Sequence, residues 1–272
     1  MISRIIPSET ERAAGVLVPK VVEHALGCFR KDGALIVEDI VDPAVIVRAR
    51  RAFDAIYTQF CCEREDVRRV GGQRFMITIN LEAPFDAPQL FANPYLLPIL
   101  SSALDETLVL AAFGVVCSMP SAPAQDVHRD GGTLFQGSDL DRLLPAFAIT
   151  VAIPLLEMNE VNGTTALWLG SHRDKRTSNQ ENISPIVREG SGMLWDSRLS
   201  HGGTPNKGSL PRPLLYMTYC RPWFIDYGNF NRYNPKQKPL LASESFLLGL
   251  SELHQRLLRR CERAETPAVI VD

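Results

Sequence analysis

The chain has 272 residues, 45% of them hydrophobic and 22% charged, enough apolar material for one large buried core. Its net charge of −2, with acidic and basic residues mixed throughout, gives no electrostatic footprint for nucleic acid or an anionic membrane. The longest nearly apolar run, Leu108 to Cys117, is about half of what a bilayer-spanning helix needs, and Met1 to Lys20 lacks a secretory pattern, so a cytoplasmic chain is expected.

Val18 to Arg30 carries apolar residues at helical spacing (Val21, Val22, Ala25, Leu26, Phe29), and Lys31-Asp32-Gly33 ends it. Ala34 to Val37 reads as a short strand. At Asp42-Pro43 an N-cap residue precedes proline, which predicts a helix from Pro43 to about Phe60 with Val45, Ala49, Phe53 and Ile56 on its apolar face. A polar stretch from Glu63 to Arg69 leads into a strand over Arg74–Asn80. Asn93-Pro94 repeats the capping signal and predicts a helix to about Leu104.

From Leu108 the character changes to strands separated by Gly, Pro, Asn and Ser: Leu108–Ser118, Phe147–Leu155, Thr164–Leu169, Gly192–Trp195 and Leu214–Phe224. Ser243 to Arg263 is predicted as one final helix. The pattern implies a closed or sandwich-like β-core buttressed by helices. No repeat or linker divides it, so a single domain over residues 1–272 is expected, with a largely helical part at 1–107, a β-core at 108–224 and a C-terminal extension at 225–272. The six cysteines (Cys28, Cys61, Cys62, Cys117, Cys220, Cys261) form no Cys-x-x-Cys pair and are expected to be reduced, with Cys117 and Cys220 buried in strands.

Four features of the β-rich part carry chemistry. In an extended chain, residues two apart share a face, so His128 and Asp130 in His128-Arg129-Asp130-Gly131-Gly132 can grip one metal ion together. The second feature is Asp196-Ser197-Arg198-Leu199-Ser200-His201-Gly202-Gly203, a histidine after a strand. The third is Arg212, eleven residues after His201. The fourth is Asn162-Gly163…Gly170-Ser171-His172. Two imidazoles and one carboxylate on one face of an octahedral metal leave three positions open, as a non-haem Fe(II) oxygenase requires. A guanidinium at residue 212 could clamp the distal carboxylate of a dicarboxylic acid with paired hydrogen bonds.

Together these segments resemble the phytanoyl-CoA dioxygenase-like family of Fe(II)/2-oxoglutarate-dependent oxygenases, over roughly Leu108 to Phe224. The resemblance implies a double-stranded β-helix, or jelly-roll, core. It implies that His128, Asp130 and His201 are the iron ligands and that Arg212 anchors the C5 carboxylate of 2-oxoglutarate. Some members have serine two residues after the second histidine; here it is Gly203, and Thr204 or Thr150 is a candidate substitute. The intact Asp130 argues for hydroxylation or another oxidation over halogenation, in which a small residue replaces this carboxylate.

The expected activity is therefore hydroxylation of an unactivated C–H bond in a small, fairly apolar metabolite, consuming O2 and releasing succinate and CO2. Desaturation, cyclisation or rearrangement with the same cofactors stands as an alternative. So do a non-catalytic metal-binding sensor and a Zn(II) hydrolase, although the hydrolase gives Arg212 no purpose. Arg74, Thr78 and Asn80, alternating on one strand face, are candidates for the substrate wall. His172 is read as a turn residue or a neighbour of the ligands and not a ligand itself, His24 and His254 as structural or surface residues, and Trp168 and Trp195 as core. Asp196 and Arg198 are read as an ion pair that orients the His201 loop. No dense basic cluster marks a coenzyme A site, and oligomeric state is not legible.

Overall fold

Side chains on successive residues of a strand point to opposite faces, so a strand apolar at every position must be covered on both sides. Five largely apolar segments of this chain, at 34–37, 109–118, 148–154, 192–196 and 212–220, are buried along nearly their whole length, and they form the centre of its sheet. The computed structural model describes residues 1–57, 68–131, 134–135, 138–173, 182–226 and 239–264. Its strands are β1 (Arg4–Ile5), β2 (Ala34–Val37), β3 (Arg68–Arg69), β4 (Arg74–Thr78), β5 (Val109–Ser118), β6 (Ala148–Pro154), β7 (Thr165–Leu167), β8 (Gly192–Asp196), β9 (His201–Gly203), β10 (Arg212–Cys220), β11 (Leu241–Ala242) and β12 (Glu262–Arg263).

Eight strands make the major sheet in the order β1-β2-β8-β6-β10-β5-β4-β3, with only the β1/β2 pair parallel. A short sheet of β7 and β9 is extended by isolated bridges between His128 and His201 and between Leu167 and Ile183. Trp195, Tyr216, Leu214, Leu167 and Met158 share the apolar cluster that joins these two sheets. Two sheets over a common interior, with the chain alternating between them from β6 to β10, define the jelly roll.

Odd and even positions of β10 serve different layers. Leu215, Met217 and Tyr219 enter the larger cluster beneath the helices, as do Phe113 and Val115 of β5 and Ile149, Val151 and Ile153 of β6. Arg212, Leu214 and Tyr216 point to the other side, into the cavity between the sheets. The larger cluster runs from Ile5 through the strands to Leu257 and Leu258. Residue 108 is not an architectural boundary, because β2 pairs with β8 and β4 pairs with β5.

The helix at Pro19–Asp32 ends at Gly33, whose φ of 77° is the left-handed turn that closes a helix. Glycine is also required sterically there: a Cβ would lie 2.4 Å from His172 Nδ1. Asp42 caps the next helix, its carboxylate accepting from Ala44 N at 2.7 Å. That helix is regular over Pro43–Ala52 and continues as a wider π-type turn over Phe53–Tyr57. Its expected end at Phe60 lies outside the described residues, as does most of the polar stretch before β4. Asn93 does cap a turn, accepting from Tyr95 N, but regular helix begins only at Leu97 and runs to Ala103.

The expected single C-terminal helix is two helices, Glu244–Gly249 and Glu252–Leu257. Leu250 is extended, and the Ser251 hydroxyl accepts from His254 N to start the second. A residue whose side chain caps a helix ends the preceding one, so Ser251 outweighs the continuous apolar spacing. Among the described residues Cys28, Cys117, Cys220 and Cys261 are thiols outside any disulfide, with Cys117 and Cys220 buried. No described helix is long and apolar enough to cross a membrane.

Candidate active site

His128 and His201 come from segments 73 residues apart and meet as an antiparallel pair. Each backbone N–H donates to the other's carbonyl at 2.9 Å. This two-way bridge fixes the spacing of the two Cα atoms and sends both imidazoles the same way, with ring centroids 4.4 Å apart. Asp130 lies two residues further along, on the same side as His128. One donor atom from each of the three lies within 4.8 Å of the others.

The outer contacts of these side chains select which atoms face inward. His128 Nδ1 lies 2.8 Å from Asp126 O, and His201 Nδ1 lies 3.0 Å from Leu199 O. A carbonyl only accepts, so both Nδ1 atoms carry the proton and both Nε2 atoms present lone pairs. Burial pushes the His128 pKa down, reinforced by the neighbouring His201. Burial also works against a charged His201, but the Asp130 carboxylate outweighs it and the net shift is upward. Asp130, despite burial, is held well below the usual carboxylate range by His201 and by hydrogen bonds from Thr150 and Trp195. With a metal taking the place of the proton at each Nε2, two imidazoles and one charged carboxylate, with no thiolate, suit a divalent cation such as Fe(II).

The arginines stand further along the same sheet face. Ser118 of β5 is the register partner of both Arg74 on β4 and Arg212 on β10, so the two side chains flank it in one row. Arg212 is 2% exposed, and among the described residues its Nη1 meets only the weak acceptor Met158 Sδ at 3.0 Å. Arg74 is 1% exposed and donates to Pro123 O, Ser118 Oγ and Thr204 O. The Nε of each is buried without a hydrogen-bond partner among the described residues. Burial lowers both pKa values to about 10, and repulsion between the two arginines adds to the shift at Arg212. Two neighbouring buried cations with unmatched N–H groups are costly unless an anion joins them.

A cavity of about 450 Å³ connects the three metal-binding candidates to both arginines. That size is ordinary for a small-molecule site, for which about 300–1,000 Å³ is typical. Its walls include Met76, Val116, Leu214 and Tyr216. A larger groove of about 1010 Å³ lies along the helix after Asp42, and none of the three metal-binding candidates lines it.

Of the expected wall residues, Arg74 lines the cavity and Thr78 and Asn80 do not. Thr78 pairs with Gly114, four residues along the ladder from the Arg74–Ser118 row, which takes it past the end of the cavity. The expected role of Thr150 and Thr204 beside Arg212 is corrected. Thr150 Oγ1 donates to Asp130 Oδ2 at 2.9 Å, at the metal end of the sheet. The Thr204 hydroxyl bonds to the Thr164 backbone, and its carbonyl accepts from Arg74. Gly203 explains the departure from serine: a Cβ there would lie 2.8 Å from Gln125 Oε1 and 3.0 Å from Arg74 Cζ. The space a serine would fill is occupied by the second guanidinium.

His172 is buried away from the cluster, its Nε2 3.3 Å from Arg30 O. Arg198 grips Asp196 through Nε at 2.8 Å and Nη2 at 2.7 Å, which stiffens the turn before His201. Arg129, between the two candidate ligands, reaches Ser200 Oγ at 3.1 Å and Ser171 O at 2.9 Å, tying its strand to the His201 segment. Sequence reasoning missed Gln125, Thr165 and Tyr216 as cavity residues and took Trp195 as core alone. Strand alternation from Arg212 would have found Tyr216, four residues on. Gln125 and Thr165 lie outside any such pattern.

The fold and this cavity define a jelly-roll oxygenase class. Residues 29–214 match the phytanoyl-CoA dioxygenase (PhyH) family, so the chain belongs to that family and is an enzyme of the dioxygenase type. The dioxygenase trt7 of Aspergillus terreus is 25% identical over 227 residues, covering 76% of each chain. Among solved structures, HygX from Streptomyces hygroscopicus with nickel and 2-oxoglutarate bound superposes with a TM-score of 0.60 at 16% identity, over 79% of this chain and 92% of that one. The epimerase SnoN in complex with Fe3+, alpha ketoglutarate and nogalamycin RO gives 0.57 at 16% identity, over 75% and 85%. At such identities the likeness is one of fold.

Proposed function

We propose that the chain is an Fe(II)- and 2-oxoglutarate-dependent dioxygenase that hydroxylates a C–H bond of a small, fairly apolar metabolite. His128, Asp130 and His201 hold the metal through two Nε2 lone pairs and one carboxylate. Arg212 holds the far carboxylate of 2-oxoglutarate. The observation that carries this reading is the pair of buried, under-bonded guanidiniums in the same cavity as the three candidate ligands. A metal-only sensor or a hydrolase would have no use for them.

When bound, iron with 2-oxoglutarate and O2 supplies the oxidising power, and the cosubstrate leaves as succinate and CO2. The protein's own contribution is binding and exclusion. Asp130 offsets part of the metal's charge. Arg212, with Arg74 beside it, gives the dicarboxylate one orientation relative to the ligands. Met76, Val116 and Leu214 present apolar surface and keep water from the reacting carbon. No side chain is assigned as acid or base, because hydrogen abstraction from carbon requires none. The three carboxylate and imidazole ligands are also compatible with other outcomes on the same fold, as the epimerase SnoN illustrates for its own substrate.

The test is spectroscopic and then catalytic. Anaerobic Fe(II) and 2-oxoglutarate should together produce the weak visible charge-transfer band of the chelate. With air, a panel of apolar metabolites should contain one that stimulates succinate release and gains one oxygen atom by mass. No band with the purified chain would overturn the cofactor assignment. A stimulating substrate that emerges without added oxygen would replace hydroxylation by another oxidation.

A further inference from the structure

Asp130 has two oxygens, and the sheet treats them differently. Oδ2 accepts from Thr150 Oγ1 at 2.9 Å and from Trp195 Nε1 at 3.0 Å. Oδ1 faces His201 Nε2 at 3.4 Å. The two donors belong to different strands, but Thr150 on β6 and Trp195 on β8 are register partners in one ladder, so their side chains rise from the sheet side by side. Both are buried. Thr150 has one hydroxyl proton, directed at Asp130, and its lone pairs face the Tyr216 hydroxyl 3.4 Å away. The arrangement is therefore backed by a third strand, β10.

A carboxylate can bind a metal through one oxygen or both. In a six-coordinate site, two imidazoles, both oxygens of a carboxylate and two oxygens of a chelating 2-oxo acid would fill every position. With one carboxylate oxygen, a position is left. We propose that Thr150 and Trp195 are positioning residues that hold Asp130 as a one-oxygen ligand. With Oδ2 committed to two sheet-borne donors, only Oδ1 is presented to the metal, and cosubstrate and O2 keep their places. This inference rests on the reading of His128, Asp130 and His201 as the metal ligands. It gives Trp195 a task that its place in the core does not suggest, and it accounts for a threonine in a strand whose other residues are apolar.

The experiment uses the full chain stripped of metal, with Co(II) as the probe, in the absence of air. Calorimetry reads the Co(II) affinity, visible absorption reads the coordination of Co(II), and a 2-oxoglutarate titration follows on the loaded protein. Thr150→Val keeps the shape and removes the donor, Trp195→Phe keeps an aromatic ring without the N–H, and Thr150→Ser keeps the hydroxyl. Outer-shell partners of metal ligands change metal affinity by about 10–100-fold when lost, so Thr150→Val and Trp195→Phe are each expected to weaken Co(II) at least about 10-fold. Both should also alter the visible spectrum and weaken 2-oxoglutarate, and Thr150→Ser should restore the wild-type values. If both donor-removing variants retain the wild-type Co(II) affinity and spectrum, the positioning role is wrong and the ligand set stands. If the wild-type chain takes up no Co(II), or His201→Ala binds it equally well, the ligand reading itself is wrong. Should Thr150→Val fail to fold, Trp195→Phe alone decides between these outcomes.

Discussion

The two faces of the major sheet are built from alternating residues of the same strands, yet they are organised oppositely. Toward the helices, β10 shows Leu215, Met217 and Tyr219, which pack with Phe113, Ile149, Val151 and Leu100 into a continuous apolar layer. Toward the second sheet it shows Arg212, Leu214 and Tyr216, and the neighbouring strands add Arg74, Ser118, Thr150 and Trp195. Side chains on both faces are buried. One face buries groups that prefer to leave water. The other buries two cations and a carboxylate that do not, and it leaves guanidinium N–H groups unmatched. The first face therefore stabilises the fold, and the second is maintained at its expense for binding.

This contrast predicts that substitutions separate into two kinds. The largest effect is expected at the metal-binding candidates: alanine at His128, Asp130 or His201 should abolish iron-dependent succinate formation, measured as product per mole of enzyme. Full activity in any one of them removes that residue from the ligand set. Next, Arg212→Met should weaken 2-oxoglutarate by about two orders of magnitude, since removing one partner of a buried charge pair costs about 2–5 kcal/mol. The unliganded protein should be as stable as wild type or more so, because an apolar side chain replaces a buried cation that lacks full hydrogen bonding. A thermal melt without ligand, beside a cosubstrate titration, checks both halves.

Leu215→Ala tests the opposite face. It should destabilise the fold by about 2–5 kcal/mol, as leucine truncation in a packed core does, and leave 2-oxoglutarate affinity within about twofold. A denaturant titration and a binding isotherm are sufficient. If cosubstrate binding collapses while stability holds, the two faces are not separable in this way. The smallest of the four is Gly203→Ser. Its new side chain would crowd Gln125 Oε1 and Arg74 Cζ, so Arg74 must shift, and about a tenfold loss of 2-oxoglutarate affinity is expected with little change in melting temperature. In an Arg74→Ala background the same substitution should cause little additional loss, because the guanidinium it would displace is already gone.

Much of the site was legible before the fold was known. His128 and Asp130 sit at a spacing that shares a strand face, and His201 and Arg212 follow at intervals that a family resemblance made meaningful. The β-rich core from Leu108 was legible because β5, β6, β8 and β10 are continuous apolar runs punctuated by turn residues. The C-terminal break at Ser251 was hidden because an unbroken apolar spacing and a helix cap occupy the same few residues. Strand β1 and strand β9 are two and three residues long, too short for any alternation to register.

The roles of Thr150, Thr204 and Gly203 depended on distances that no linear spacing carries. Thr150 and Trp195 are 45 positions apart in the chain and meet because β6 and β8 are paired in one register. Arg74 and Arg212 share a cavity because each is opposite Ser118 on either side of β5. Side-chain chemistry and local periodicity, which depend on neighbours in the chain, determined the strands, the candidate ligand types and a candidate cation for a dicarboxylate. Which groups touch, which oxygen of Asp130 is occupied, and why position 203 has no side chain were decided by strand register alone, because register brings together residues that the sequence keeps apart.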